Sequence, residues 1–424
     1  MKQLRLILTV AIFLTSSGLY AQMVNLMNMS AEWARTGNRN AAIDAADIVF
    51  YNPAGLTKLE DGIHFNISNQ TLIRLPEHTA DFTPAVDQKR TFKHEGVDWF
   101  LPNAYLAYKK NNWAVFTGFF IPAGGVTVNY PDGSLNTEVI GILTSGTIGN
   151  ITDQSLEASS IYLAGMLGGT YAINEMFSFA AGIRYVNAKN TTKGEVIGTT
   201  GTVNVKTEDT ADGFGGVIGI NITPIPELNI GMRYETITKL EFETDVKKDT
   251  TDLPLFVDGA KSRSDIPAVF AIGALYAVTP ELSLELDFNY YFQKHADWDR
   301  DLNGKDYAES AGDCFTTGLA AIYKVNSMIT ASAGFTYSYF MWEDEDSYYT
   351  KLGAYETLFS DNIAFLIGAA VEVAKGVKVN LAYNFTWWEG ETIEYTNPNL
   401  TGFSAEVKTR NTAHVIAVGA DCSF

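Results

Sequence analysis

The chain has 424 residues, of which 46% are hydrophobic and 12% aromatic, and its formal net charge is −19. This acidity argues against a nucleic-acid-binding protein, because phosphates are bound mainly by Lys and Arg. After the N-terminal apolar segment no apolar run reaches the roughly 18 residues that a membrane-spanning helix needs.

The N terminus predicts a secretory signal peptide over residues 1–21. Two basic residues, Lys2 and Arg5, precede an apolar run over 6–14, and Ala21 offers a small residue for cleavage. A buried N-terminal helix is the alternative, but the length and the flanking residues fit a signal better. We therefore expect an exported protein.

Residues 22–61 do not alternate as a strand would, and we expect them to form a separate segment ahead of the sheet. Within them, Asn52 suits a helix N-cap and Pro53 suits the first helical position, so a short helical turn is predicted there. If the strands that follow close into a barrel, such a segment can lie in the lumen, as plugs in other barrels do. The sequence therefore predicts an N-terminal hatch that plugs a lumen.

From residue 62 to the C terminus, apolar and polar residues alternate in stretches that are separated by turns. Short turns and long polar loops follow each other in strict alternation, as in bacterial barrels, which keep the short turns in the periplasm. The last stretch ends on the aromatic Phe424, which is common in outer-membrane barrels. We predict strands at about 62–74, 98–110, 111–121, 158–173, 175–191, 210–224, 225–241, 263–279, 280–294, 311–325, 327–341, 361–375, 376–390 and 410–424.

The predicted fold class is therefore all-β: a 14-stranded antiparallel transmembrane β-barrel over 62–424, in the bacterial outer membrane, with the hatch plugging the lumen. A soluble sandwich is the alternative. Long loops confined to alternate connections count against it.

Two stretches resemble one known family. Residues 45–56, AADIVFYNPAGL, resemble the hatch motif of the outer-membrane long-chain fatty acid transporters of the FadL/TodX type, and 118–125 resemble the third strand of those proteins, with Ala123 where the family often has Phe. The family has 14-stranded barrels with a lumenal hatch. The residues at the centre of the motif here are Asn52, Pro53, Ala54, Gly55 and Leu56.

Pro122, Gly124 and Gly125 are predicted to end the third strand early, because Pro donates no ladder hydrogen bond and Gly marks bends or bulges. The resemblance implies that a break here opens the barrel wall sideways and lets substrate leave into the bilayer. An ordinary transition from strand to loop is the alternative.

Two arginines are candidates for binding a ligand carboxylate. Arg184 and Arg233 alternate with apolar residues that would face lipid, so both side chains are expected to point into the lumen. Either guanidinium could bind a fatty-acid carboxylate. The alternative is that they only balance lumenal acids, with Arg233 paired to Glu235.

The long loops leave two further alternatives open. Residues 139–143, VIGIL, are apolar for a loop and could form a helix that receives lipid or could pack on other loops. Asp297, Asp299, Asp301 and Asn303 alternate as in calcium loops, but the Glu expected at the twelfth position is missing. We therefore assign no metal and expect a solvated acidic loop that divalent ions bridge to lipopolysaccharide.

No catalytic motif or cofactor-binding motif was found, and we expect neither an enzyme nor a cofactor. Cys314 and Cys422 fall at opposite ends of the predicted barrel and are expected to be free thiols. We expect a monomer whose partners are outer-membrane lipid, lipopolysaccharide and a hydrophobic small molecule, with no nucleic acid.

The resemblance implies passive uptake of long-chain fatty acids or other hydrophobic small molecules, by lumenal binding, hatch movement and lateral exit. A second hypothesis uses the same fold without transport: a docking or shuttle component of type IX protein secretion.

Overall fold

The computed structural model describes residues 30–82, 89–253, 256–300, 306–352, 356, 360–396 and 404–424. The predicted signal peptide, 1–21, and the first part of the predicted hatch, 22–29, lie outside the described residues. Among the described residues, no helix is both long enough and apolar enough to cross a membrane.

The chain forms one antiparallel sheet that closes into a barrel of 14 strands, as predicted. β1 pairs with β2 on one side and with the last strand, β14, on the other, which closes the ring. The strands are β1 (Gly62–Arg74), β2 (Asp98–Lys110), β3 (Trp113–Tyr130), β4 (Ile151–Ala172), β5 (Phe177–Gly198), β6 (Thr202–Ile225), β7 (Leu228–Glu235 and Glu241–Asp249), β8 (Lys261–Arg263 and Ala268–Ala277), β9 (Leu282–Phe292), β10 (Cys314–Lys324), β11 (Ile329–Phe340), β12 (Asn362–Ala374), β13 (Val377–Trp388) and β14 (Ser404–Ser423).

The strands alternate between an exposed and a buried face, which is what places polar side chains in the lumen. In β4, Ile161 and Leu163 are exposed on the outer face, whereas Tyr162 and Ala164 between them are buried. Exposed apolar residues of this kind recur around the barrel, as a surface that meets lipid requires.

The residues before β1 fold inside the ring. They form α1 (Ala31–Thr36), α2 (Ile48–Tyr51) and a 3₁₀-helix (Pro53–Lys58). The Ser30 side chain caps α1 by accepting a hydrogen bond from the Trp33 amide at 3.0 Å. Most of residues 30–59 are buried, and they contact strands on every side of the barrel. We call this segment, residues 30–59, the hatch.

The long connections meet at one end of the barrel, the long-loop end. They carry short strands at Glu77–Asp81, Lys89–Lys93 and Thr392–Thr396, a 3₁₀-helix (Gln293–His295), and the helices α3 (Leu135–Leu143), α4 (Ser145–Ile148), α5 (Tyr307–Ala311) and α6 (Glu345–Leu352). A hydrophobic cluster that includes Phe92, Leu135, Trp298 and Tyr348 joins several of these loops.

The apolar stretch 139–143 is part of α3. Val139 and Ile140 are each only 5% exposed, because they pack in clusters with other loops. Of the two alternatives for this stretch, the structure therefore favours loop packing. Cys314, at the start of β10, and Cys422, near the end of β14, are both free, as predicted.

Candidate functional site

A cavity of about 70 Å³ lies in the lumen against the hatch. Residues of the hatch and of nine strands line it, because alternate residues of every strand point inward. One part of the lining is apolar, with Leu72, Leu101, Trp388 and Val415. The opposite part is polar and contains Arg233 and Asp287.

Arg233 joins the barrel wall to the hatch. Its Nη1 donates to the backbone carbonyls of Phe50 at 2.8 Å and Tyr51 at 2.6 Å. Its guanidinium also lies 5.0 Å from the centroid of the Phe50 ring, within the range of a cation–π contact. Nε lies 2.9 Å from a carboxylate oxygen of Glu235. The charge of Arg233 is thus compensated inside the protein, and the guanidinium holds the hatch.

Arg184 points inward, as expected, but it does not line the cavity. It forms an ion pair with the other carboxylate oxygen of Glu235 and donates to the Thr238 hydroxyl at 3.0 Å. Glu235 therefore lies between the two arginines. The structure places both candidate arginines beside an acid, which is the arrangement of the charge-balancing alternative.

Lumenal carboxylates hold the remainder of the hatch through its backbone. Asp287 Oδ2 accepts from the amides of Arg39 at 2.7 Å and Asn40 at 2.9 Å. Glu285 accepts from the Ala41 amide at 3.1 Å. These contacts satisfy amides that no helix or sheet pairs, which is why acids suit this part of the wall.

The motif residues of the hatch are all buried, but Asn52 does not form the predicted N-cap. Pro53 does begin the 3₁₀-helix, whereas the Asn52 side chain makes no capping hydrogen bond. Its amide nitrogen instead donates to the Asn221 side chain on β6 at 2.7 Å and to the Ala42 carbonyl at 3.1 Å. The side-chain oxygen, which a cap would have used as acceptor, has no donor among the described residues. Asn52 thus ties the hatch to the wall through its amide nitrogen.

The rest of the motif fits closely around Asn52. The Ala54 carbonyl accepts from the Ser178 hydroxyl at 2.8 Å, and Leu56 is fully buried. A Cβ atom at Gly55 would lie 2.5 Å from the Asn52 amide nitrogen, so a larger residue at 55 would displace that side chain.

The prediction that the third strand ends at Pro122 is wrong, because β3 continues to Tyr130. Its ladder with β4 persists past the break with register shifts, since Gly124 and Gly125 adopt φ values of 68° and 75° that produce a bulge. What stops is the ladder with β2, whose last pair is Ala104 with Phe119.

A gap in pairing therefore separates β2 from β3 over residues 98–103 and 120–130, all of which the structure describes. At its far end, Asp98 accepts from the Thr127 amide at 3.0 Å. At its near end, the ring of Phe50 in the hatch packs edge-on against Phe120, with 4.8 Å between the centroids. The hatch thus contacts the gap directly.

One apolar cluster connects the gap with the cavity. Its members are Leu72, Leu101, Ile121, Val126, Trp388, Ala413 and Val415. Leu72, Leu101, Trp388 and Val415 also line the cavity, whereas Ile121 and Val126 flank the bulge of β3. A barrel lumen is normally polar, so this cluster is an unusual apolar surface there, of the kind that lines binding sites for hydrophobic molecules. We call these seven residues the apolar cluster.

Several solved structures resemble almost the whole chain. Three of them are a FadL homologue from Pseudomonas aeruginosa (TM-score 0.70, 14% identity), the toluene transporter TodX of P. putida (0.66, 13%) and the toluene transporter TbuX of Ralstonia pickettii (0.61, 15%). Each match covers 95–96% of this chain and 99% of the other. The fold is the FadL-type fold. No protein-family model and no curated protein matches the sequence.

Sequence reasoning missed most of the residues that surround the cavity of this FadL-type barrel. Asp287 and Glu285 alternate with apolar residues along β9, which marks them as lumenal, but nothing in the sequence links them to the amides of the hatch. Trp387 and Trp388 are adjacent and therefore face opposite sides of β13, but the sequence does not show which of them faces the lumen. It also gives no sign that Trp388 packs with apolar residues of β1 and β2.

The structure brings no metal ligands together among the residues it describes. Asp301 and Asn303 of the acidic loop lie outside them. Asp299 accepts from the Arg263 amide at 2.7 Å, so one of its oxygens is used within the protein.

Proposed function

We propose that the chain is a monomeric channel of the bacterial outer membrane for the passive uptake of hydrophobic small molecules, such as long-chain fatty acids. In this proposal, residues 1–21 direct its export, and its acidic loops at the long-loop end face lipopolysaccharide. The FadL-type fold supports the proposal, since the similar structures include a FadL homologue and two toluene transporters. The observation that carries it is the apolar cluster between the cavity and the gap.

In the proposed route, substrate binds in the lumen, moves along the apolar cluster and leaves between β2 and β3. A cavity of 150 Å³ holds benzene, so the cavity of about 70 Å³ has to enlarge before it holds even a small ring. The hatch is the element to move, because Phe50 contacts Phe120 at the gap and lines the cavity as well.

A carboxylate that binds Nη1 of Arg233 would displace the two hatch carbonyls from it. Binding of a fatty acid at this arginine would therefore loosen the hatch beside the gap. This competition gives the channel a way to couple an anionic substrate to hatch movement without an energy source.

A disulfide across the gap tests the route. Leu101 and Ile121 lie on opposite sides of the gap. Each has a side-chain carbon close to the position that a Cβ atom on Gly125 would occupy, at 3.2 Å for Leu101 and 3.1 Å for Ile121. In a background that carries C314A and C422A, L101C/I121C would be oxidised and the uptake of radiolabelled oleate and toluene measured in a Gram-negative host that lacks its own channel for them. We expect uptake to fall to the level of the empty host and to return on reduction.

The matched control is L106C/T117C, a pair within the intact ladder of the same two strands, on the outer face. Its oxidation should leave uptake unchanged. Unchanged uptake with the oxidised gap pair would show that substrate leaves by another route. If the unmodified protein gives no uptake of either probe, the channel itself is wrong, and a role in secretion becomes the better hypothesis.

A further inference from the structure

The indole N–H of Trp388 is a buried donor without an acceptor. Trp388 is the last residue of β13, is 2% exposed and lines the lumenal cavity in the apolar cluster. Its Nε1 donates to no acceptor among the residues that the structure describes. Buried side-chain donors in proteins nearly always have a partner, so an unpaired one beside a cavity indicates a missing acceptor.

The neighbouring strands do not supply that acceptor. Trp388 is opposite Asn362 on β12 and Asn411 on β14. The Asn362 amide donates to the Ser360 carbonyl, and the Asn411 Oδ1 atom is itself without a donor, so the two unpaired groups do not bond to each other. Among the residues that the structure describes, the neighbouring strands therefore leave the indole N–H free to bond to a molecule in the cavity.

The charges around the cavity disfavour the binding of an anion as long as Arg233 is bonded to the hatch. Arg233 is the only cation among the lining residues that the structure describes, and the hatch carbonyls and Glu235 already use it. Asp287, the one acid among the described lining residues, has an oxygen, Oδ1, that no donor of the described residues reaches. That oxygen would repel a carboxylate, whereas a neutral molecule escapes this penalty.

We propose that Trp388 is a specificity-determining residue whose N–H binds a single acceptor oxygen on a neutral hydrophobic molecule, such as a ketone or an ester. The apolar part of this molecule packs on Leu72, Leu101 and Val415, and its oxygen faces the indole. The inference rests on the proposed function and narrows its substrates: once the cavity has enlarged, and while Arg233 still holds the hatch, neutral molecules that carry one acceptor bind more tightly than pure hydrocarbons of the same shape.

A pair of isosteric probes tests this inference. Acetophenone and α-methylstyrene differ only in a carbonyl oxygen that replaces a methylene group. Their binding to the full chain in lipid nanodiscs would be measured by titration calorimetry, with empty nanodiscs subtracted. Relative to the partition of each probe into lipid, which the empty nanodiscs measure, we expect the unmodified protein to bind acetophenone about fivefold more tightly than α-methylstyrene, the size of one net hydrogen bond.

Trp388→Phe keeps an aromatic ring and removes the donor. It should abolish the preference by weakening acetophenone binding about fivefold, with α-methylstyrene unchanged. Trp387→Phe is the matched control, because Trp387 is the adjacent residue but is 47% exposed on the outer face. It should change neither affinity.

The outcomes separate the two proposals. Equal affinity of the unmodified protein for both probes after correction for lipid partitioning, or a preference that survives Trp388→Phe, would overturn the role of Trp388 and leave the channel standing. Binding of neither probe would overturn the hydrophobic cavity and, with it, the proposed function. The preference measured on the unmodified protein does not depend on whether the variant folds.

Discussion

Replacement of Arg233 by Met should loosen the hatch next to the gap. The change removes two hydrogen bonds from a charged donor to the Phe50 and Tyr51 carbonyls, at 2.8 and 2.6 Å, and leaves both oxygens buried. Hydrogen bonds to charged groups contribute about 1.5–3 kcal/mol each, so local opening should become easier by about 3–6 kcal/mol. That corresponds to roughly a 100- to 10,000-fold rise in the open population.

Hydrogen–deuterium exchange of the peptide over 47–58 measures this opening directly, because amides such as Asn52, bonded to the Ile48 carbonyl at 2.8 Å, exchange only when it opens. Arg184→Met is the matched control, since Arg184 pairs with the same Glu235 but makes no contact with the hatch among its described hydrogen bonds. The reasoning fails if both variants accelerate exchange equally, or if Arg233→Met accelerates it less than tenfold.

Two further predictions concern the bulge of β3 and the pH dependence of the hatch. Gly124→Ala should lower thermal stability by about 1–2 kcal/mol, because φ at this position is 68° and the new Cβ would lie 2.8 Å from the Ser160 carbonyl oxygen. The control is Gly165→Ala on β4, where a Cβ would meet open space; this variant should melt at the same temperature as the unmodified protein. Burial and the nearby Asp47 raise the pKa of Glu32 to about 8 from 4.5, so the docked hatch favours the protonated acid and should open more readily as the pH rises from 5 to 8. Exchange over 31–37, corrected for the intrinsic rate, should lose this pH dependence in Glu32→Gln; a slope that persists would assign it to another group.

The strands were predictable where one face meets lipid and the other the lumen. The prediction 280–294 encloses β9, Leu282–Phe292, because every second residue there is large and apolar. The strands β4, β5 and β6 extend further toward the long-loop end than predicted, to Ile151, Gly198 and Thr202. The outward-facing positions of those extensions are mostly polar, as at Asp153, Lys193 and Lys206, so the apolar outer face on which the prediction depends is missing there.

The site was less predictable, because its contacts join residues that are far apart in the sequence. The pattern around Pro122 did indicate an irregular strand, but it could not show which of the two neighbouring ladders would be lost. Likewise, alternation placed Arg233 in the lumen correctly, whereas its bonds to Phe50 and Tyr51 depend on how the hatch is seated. The residue pattern thus predicts which face of a strand a side chain lies on, whereas its hydrogen-bond partners are known only once the barrel has closed around the hatch.

The seating of the hatch also bears on how the barrel stays closed. Carboxylates and amides on widely separated strands hold it: Asp287 on β9, Asn221 on β6 and Asp421 on β14, the last of which accepts from the Ala46 amide at 3.0 Å. The seam of the ring lies between β14 and β1. On the β1 side of this seam, Ser68 accepts from the Ala31 amide at 3.1 Å, so the hatch is bonded to both strands that close the ring. The first residues of the folded chain thus help to hold its last strand in place.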